Sequence, residues 1–250
     1  MAISAATTIH TLRGPYTAKA LSLLPQAVHC FTWDGQKITV GQVQVLPHPT
    51  PLPAQRVGLD DETVLYLQDD QQVIDRQTGL PVPITPGLSV MPLYLSRTSG
   101  NYPTFKQIGE PSPTAAPTDR RRTRLVSRMV YEWKSGTQLE PGQIVRFIDG
   151  NRSNCEPSNL RVETHKGMAT RPVRKSRGHS GLRLLCGKLH ALDAGDFGTP
   201  AKATGIPGFN HKILAHEPWE ETLLYQVVGS NYAAAGIFVI SDPAPAPEAR

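Results

Sequence analysis

Apolar and polar residues alternate in short runs through most of the chain. Between about Gln26 and Gln107 the runs CFTWDGQKITVGQVQVL, ETVLYLQ, QQVIDRQTGLPVPI and LSVMPLYLS are bounded by Gly or Pro. Lys37-Ile38-Thr39-Val40 shows the two-residue period of a half-buried strand. From Leu182 to Ser241 the pattern resumes in LRLLCGKLHAL, HKILAHE, ETLLYQVVG and AGIFVIS. Between these regions the period changes. In RRTRLVSRMVYEWKSG, Leu125, Met129 and Trp133 recur at helical spacing with Val126 and Val130 beside them, and Arg120, Arg124 and Arg128 fall on another face. This predicts a helix, stopped by Gly136. QIVRFI and NLRVE then read as two strands joined through an Asp-Gly-Asn turn and a polar loop, with a helix or turn starting near Thr164.

The fold class expected is mainly β with an inserted small α/β unit. Residues 1–25 read as an N-terminal arm and 26–109 as the first part of a β-rich domain. Residues 110–177 hold a linker (EPSPTAAPTD), the α/β unit and a basic stretch (RPVRKSRGHSG). Residues 178–242 read as the second part of the β-rich domain, and 243–250 as a Pro/Ala-rich tail. No tandem repeat is visible.

Composition agrees. Hydrophobic residues make up 39%, enough for a folded core, and 23 prolines with 21 glycines favour short strands and turns. No apolar run reaches the roughly 18 residues of a membrane span. The start of the chain lacks a basic stretch followed by an apolar block, so no secretory signal is expected. Three cysteines (Cys30, Cys155, Cys186) form no CxxC pair, which points to buried free thiols in a reducing compartment and away from a zinc knuckle. There is no P-loop, GxGxxG, GxSxG or HExxH. His211 and His216 are expected to flank a strand and carry no chemistry.

Charge is uneven. Between Arg120 and Arg177 stand 14 Lys or Arg against five acids, a net +9, whereas the whole chain is +5 and the remainder therefore −4. Such a concentration suits a polyanion, most often nucleic acid.

Residues 122–170 resemble the HNH endonucleases of the homing type. The resemblance rests on VSRMVYEWKSG, IVRFIDGN, Asn154, EPSNL and RVET, in the order and spacing of that family. It implies a ββα unit in which a histidine acts as general base opposite one divalent metal. Asp149, Gly150 and Asn151 match the family's turn, Asn154 its loop-bracing asparagine, and Asn159 and Leu160 the start of its second strand. The base position holds Phe147, the adjacent metal-ligand position Arg146, the ligand position on the following helix Met168, and the upstream helix histidine position Ser127. His165 with Asp149 could hold a metal only in a shifted geometry.

The flanks resemble Hint domains, the β folds of inteins, through Tyr225, Tyr232, Gly236 and Ile237 in LLYQVVGSNYAAAGIFVIS. CFTWDGQKI resembles the Hint opening, with Cys30 at the nucleophile position. The terminal His-Asn would fall on Ile240 and Ser241, which leaves no Asn to cyclise. Together the resemblances imply a Hint-like β domain interrupted by an HNH-like ββα module.

The leading functional expectation is a nuclease-dead HNH-like protein that binds nucleic acid, DNA ahead of RNA, without cofactor, metal or catalytic residue. Phosphate contacts are expected from Arg120, Arg121, Arg122 and Arg124 before the hairpin and from Arg146, Arg152 and Arg161 within it. Lys166, Arg171, Arg174, Lys175 and Arg177 are expected to add more beyond it. Two alternatives stay open: a structural or assembly component of a phage or mobile-element complex, and an active metal-dependent nuclease with a displaced site. A cytoplasmic setting, bacterial or phage, is expected, or a virion if the structural reading holds. No membrane partner is expected.

Overall fold

The computed structural model describes residues 1–106, 123–164 and 211–242. The first segment runs β1 (Ala2–Ser4), β2 (Thr8–Thr11), β3 (Gly14–Thr17), α1 (Ala18–Ser22), β4 (Val28–Trp33), β5 (Ile38–Pro47), β6 (Leu52–Leu59), β7 (Val64–Gln68), β8 (Gln72–Ile74), β9 (Pro81–Pro83), β10 (Leu95–Arg97) and β11 (Pro103–Lys106). The second holds β12 (Thr123–Leu125), α2 (Val126–Ser135), β13 (Gln143–Phe147), a 3-10 turn (Pro157–Asn159) and β14 (Leu160–Thr164). The third holds β15 (Ile213–Thr222), β16 (Leu224–Gly229), β17 (Tyr232–Ala234) and β18 (Ile237–Val239). The protein is mainly β with a small α/β unit in between.

Thirteen of these strands form one sheet, ordered β15-β6-β7-β1-β16-β5-β4-β2-β17-β18-β8-β9, with β3 added against β2. The first and third segments interleave, always antiparallel. β16 lies between β1 and β5, β15 pairs with β6, β17 with β2 and β18 with β8. The α/β unit is thus an insertion into a domain that neither flank completes alone.

Several expectations need correction. The supposed arm is part of the sheet: β1 sits between β7 and β16, Ala2 and Ile3 are fully buried, and α1 is capped by the Thr17 hydroxyl accepting from the Ala20 amide. Strands of three or four residues are too short to display a period. The helix starts only at Val126, because Thr123–Leu125 pairs with β11 instead. Its inward face is Val126, Ser127, Met129 and Val130, while Leu125 and Trp133, expected on that face, are exposed. Gly136 does end it, in the left-handed conformation (φ 67°) that lacks a penalty only for glycine. Much of LSVMPLYLS makes only isolated bridges (Asp75 with Val90, Ser89 with Lys212, Pro92 with Ile237) before β10. The run LRLLCGKLHAL, Cys186 and the tail lie outside the described residues.

The core has two main parts. One fills the sheet around Ile9, Leu67, Val227 and Tyr232. The other joins Leu12, Phe31, Trp33, Ile74 and Phe238 of the sheet to Phe105, Val126, Met129, Val130, Cys155 and Leu160, so the inserted unit shares its core with its host. Polar ties reinforce the seam. The Cys155 amide donates to the Leu12 carbonyl at 2.9 Å, and the Glu156 carboxylate meets His29 at 2.8 Å and Arg13 at 3.3 Å.

His10 on β2 is buried with Nδ1 unpartnered, and burial lowers its pKa to about 4. The unfolded chain, with His near 6.5, takes up the proton first as pH falls. Stability is therefore full above about pH 6.5 and is lost down to about pH 4, by about 3 kcal/mol. Urea unfolding of the wild type and of His10→Gln at pH 7 and pH 4 checks this. The variant should show the smaller loss.

Candidate functional site

The hairpin of β13 and β14 pairs Gln143 with Thr164 through Phe147 with Leu160. Its turn is built from carboxamides and one carboxylate. Asp149 accepts from the Asn154 side-chain amide at 2.8 Å, from the Asn159 side-chain amide at 2.9 Å and from the Asn151 backbone amide at 2.7 Å. Asn159 also donates to the Asn154 carbonyl at 2.8 Å, and its own side-chain oxygen accepts from the Asp149 amide at 3.0 Å. Gly150 takes the left-handed conformation (φ 72°) the turn requires. The Asn154 and Asn159 amides hold the Asp149 carboxyl below its usual pKa. Both its oxygens are committed to the turn, which disfavours Asp149 as a metal ligand.

The positions beside the turn hold no acid–base group. Phe147 is half-buried and packs on Tyr102, ring centroids 6.0 Å apart. Arg146 is exposed and lies 3.3 Å from Glu163, which also binds Arg161 at 2.8 Å. Arg146 and Arg161 face each other across the strands, so Glu163 offsets a like-charge pair. Ser127, at the upstream histidine position, lines a cleft of about 280 Å³ between α2 and β13, together with Tyr102, Arg128, Gln143, Val145 and Arg146. Met168 and His165 lie outside the described residues.

Of the expected phosphate-binding residues, the described Arg124, Arg146, Arg152 and Arg161 all belong to this unit, mostly in internal pairs. Arg124 meets Glu132 at 2.8 Å, and Arg128, one turn before that acid, meets it at 3.3 Å. Arg152 donates to the Gly100 carbonyl at 2.7 Å and stacks over Tyr102 at 4.7 Å. Between 123 and 164 six basic residues face five acids, a net of only +1. The excess of positive charge lies in Arg120, Arg121 and Arg122 on one side and Lys166, Arg171, Arg174, Lys175 and Arg177 on the other, all outside the described residues. Reading Glu132 as the i+4 neighbour of Arg128 would have flagged part of this neutralisation.

A family model described as HNH endonuclease matches residues 124–169. No curated protein matches the chain. Among solved structures, a mutant of an Ssp DnaB mini-intein variant is similar at 7% identity and TM-score 0.45, over 96% of this chain and 98% of that one. A DnaB intein from Synechocystis sp. PCC 6803 is similar at 6% identity and TM-score 0.43, over 96% of this chain and 98% of that one.

Cys30 lies in the middle of β4, fully buried, and burial pushes its thiol up to about 12. Cys155 is likewise buried and raised to about 12. Neither can supply a thiolate near neutral pH. Ser241 donates from its hydroxyl to the Gly229 carbonyl at 2.7 Å. His216 lies within β15 and not at its edge, whereas His211 precedes that strand. His211 also joins Asp60 and Asp61 in the one group of three potential metal donors among the described residues. Asp60 and Asp61 are adjacent but His211 is far along the chain, so no spacing signal linked them.

Two outcomes are expected. Asn159→Ala strands the Asp149 amide and loosens the turn, at a cost of about 1–3 kcal/mol in urea unfolding. Iodoacetamide at pH 8, followed by peptide mass mapping, should label Cys30 and Cys155 only after denaturant is added.

Proposed function

We propose that the inserted unit is an HNH-type scaffold that docks on nucleic acid, DNA ahead of RNA, without cutting it. The observation that carries this reading is the contrast within one hairpin. The carboxamide turn of the family is complete through Asp149, Asn154 and Asn159, while the reacting positions are filled by a packed Phe147 and an ion-paired Arg146. A phenyl ring takes no proton from water, and a guanidinium repels a metal ion. The match to HNH endonucleases supports a nucleic-acid partner. The charge supports phosphate contact, from Arg120, Arg121 and Arg122 and from Lys166 to Arg177, on either side of a nearly neutral hairpin.

One observation favours the structural alternative. Arg124 and Arg128 are paired with Glu132, Arg146 and Arg161 with Glu163, and the unit shares its core with the sheet, as a part kept for shape would.

Supercoiled plasmid with magnesium, manganese or zinc should stay uncut. Metal-dependent nicking abolished by His165→Ala would establish the displaced nuclease instead. Titrating a labelled random duplex at several salt concentrations should give a log–log slope near −4.5, taking about five phosphate contacts at roughly −0.9 each. Replacing Arg120, Arg121 and Arg122 by Ala should flatten the slope, whereas Arg161→Ala should change it little. Absence of binding at low salt would put the assembly role first.

A further inference from the structure

At the end of β6 the chain turns through Asp60 and Asp61, and β15 begins beside it just after His211. Backbone bonds fix the two segments: the Asp60 amide donates to the Lys212 carbonyl at 2.9 Å, and Ile213 pairs with Leu59. The His211 side chain is 1% exposed and neither ring nitrogen has a hydrogen-bond partner. Its backbone is held at a positive φ of 48°, and Tyr94 packs against the ring at 5.4 Å. The Asp61 side chain is 7% exposed; one of its oxygens accepts from the Thr63 amide at 3.1 Å. Its other oxygen lies 3.5 Å from His211 Nδ1. The donor atoms of Asp60, Asp61 and His211 all lie within 4.8 Å of one another.

A buried imidazole with neither nitrogen in a well-formed hydrogen bond, beside two carboxylates, is costly in a protein interior. The 3.5 Å separation is long for a hydrogen bond. It is close to the spacing of two ligands on one ion: donors about 2.1 Å from a tetrahedral metal lie about 3.4 Å apart. We propose that Asp60, Asp61 and His211 form a divalent transition-metal site, zinc being the fitting probe. One imidazole and two carboxylates suit that class better than an all-oxygen set would. The ion would staple the end of β6 to the point where the chain re-enters the sheet.

The full-length chain, stripped with a chelator and dialysed, is titrated with zinc chloride against a chromophoric competitor, with thermal unfolding in parallel. A single equivalent should bind and Tm should rise by several degrees. Asp61→Asn and His211→Ala should each weaken binding by roughly 100-fold, since loss even of a ligand's outer partner costs about 10- to 100-fold. His216→Ala, an exposed histidine on β15, should bind as wild type does. Should His211→Ala fail to fold, the near-isosteric Asp61→Asn decides, with cobalt absorption of the wild type as a second readout of imidazole and carboxylate ligation. Wild-type affinity in Asp61→Asn, or no saturable binding by the wild type, overturns the proposal.

Discussion

Backbone amides and carbonyls cannot be left unpaired in a dry interior, and in this chain β16 is what satisfies them on both sides at once. It hydrogen-bonds to β1 along one edge and to β5 along the other, with Val227 fully buried at its centre. β1 in turn reaches β7, and β5 reaches β4, so the sheet is continuous only when a strand from late in the chain lies between two from its beginning. The insertion has to obey that closure: it follows β11 and must allow β15 to pair with β6. Its α2 helix and hairpin meet this constraint by packing into the same apolar cluster as Phe31, Trp33 and Phe238.

The parts of this arrangement that were legible in the sequence are the local ones. Ile38-Thr39-Val40, from the alternating run that starts at Lys37, opens β5, and the DGN turn with its spaced asparagines is a turn braced by those asparagines. What failed was non-local. Ile3 and Ile9 give no period over three or four residues, yet they fill the core because distant strands flank them. Leu125 repeats correctly with Met129 but faces outward, since pairing with Thr104 claims its backbone before the helix begins. Arg124 reaches Glu132 from a strand, across a boundary that no helical-wheel argument spans.

Electrostatics follow the same divide. A charge count over a window treats the basic residues as one face, but folding sorts them. Glu132 draws in Arg124 and Arg128, Glu163 draws in Arg146 and Arg161, and the hairpin comes out nearly neutral. Exposed pairs of this kind add little stability. They do set side-chain direction, and they lower the local field that a polyanion would feel.

The seam between insertion and sheet has a further consequence. Glu156 to His29 and Arg13, the Cys155 amide to Leu12 and Lys134 to the Pro157 carbonyl all fasten the loop and its far side, leaving Arg146 on the open rim of the hairpin. Among the described residues, that rim side chain makes one exposed ion pair, to Glu163. Replacing Arg146 therefore removes one exposed ion pair and leaves the packing of the unit in place. Phe147, by contrast, packs on Tyr102 and against the shared core, so a change there is felt by the fold.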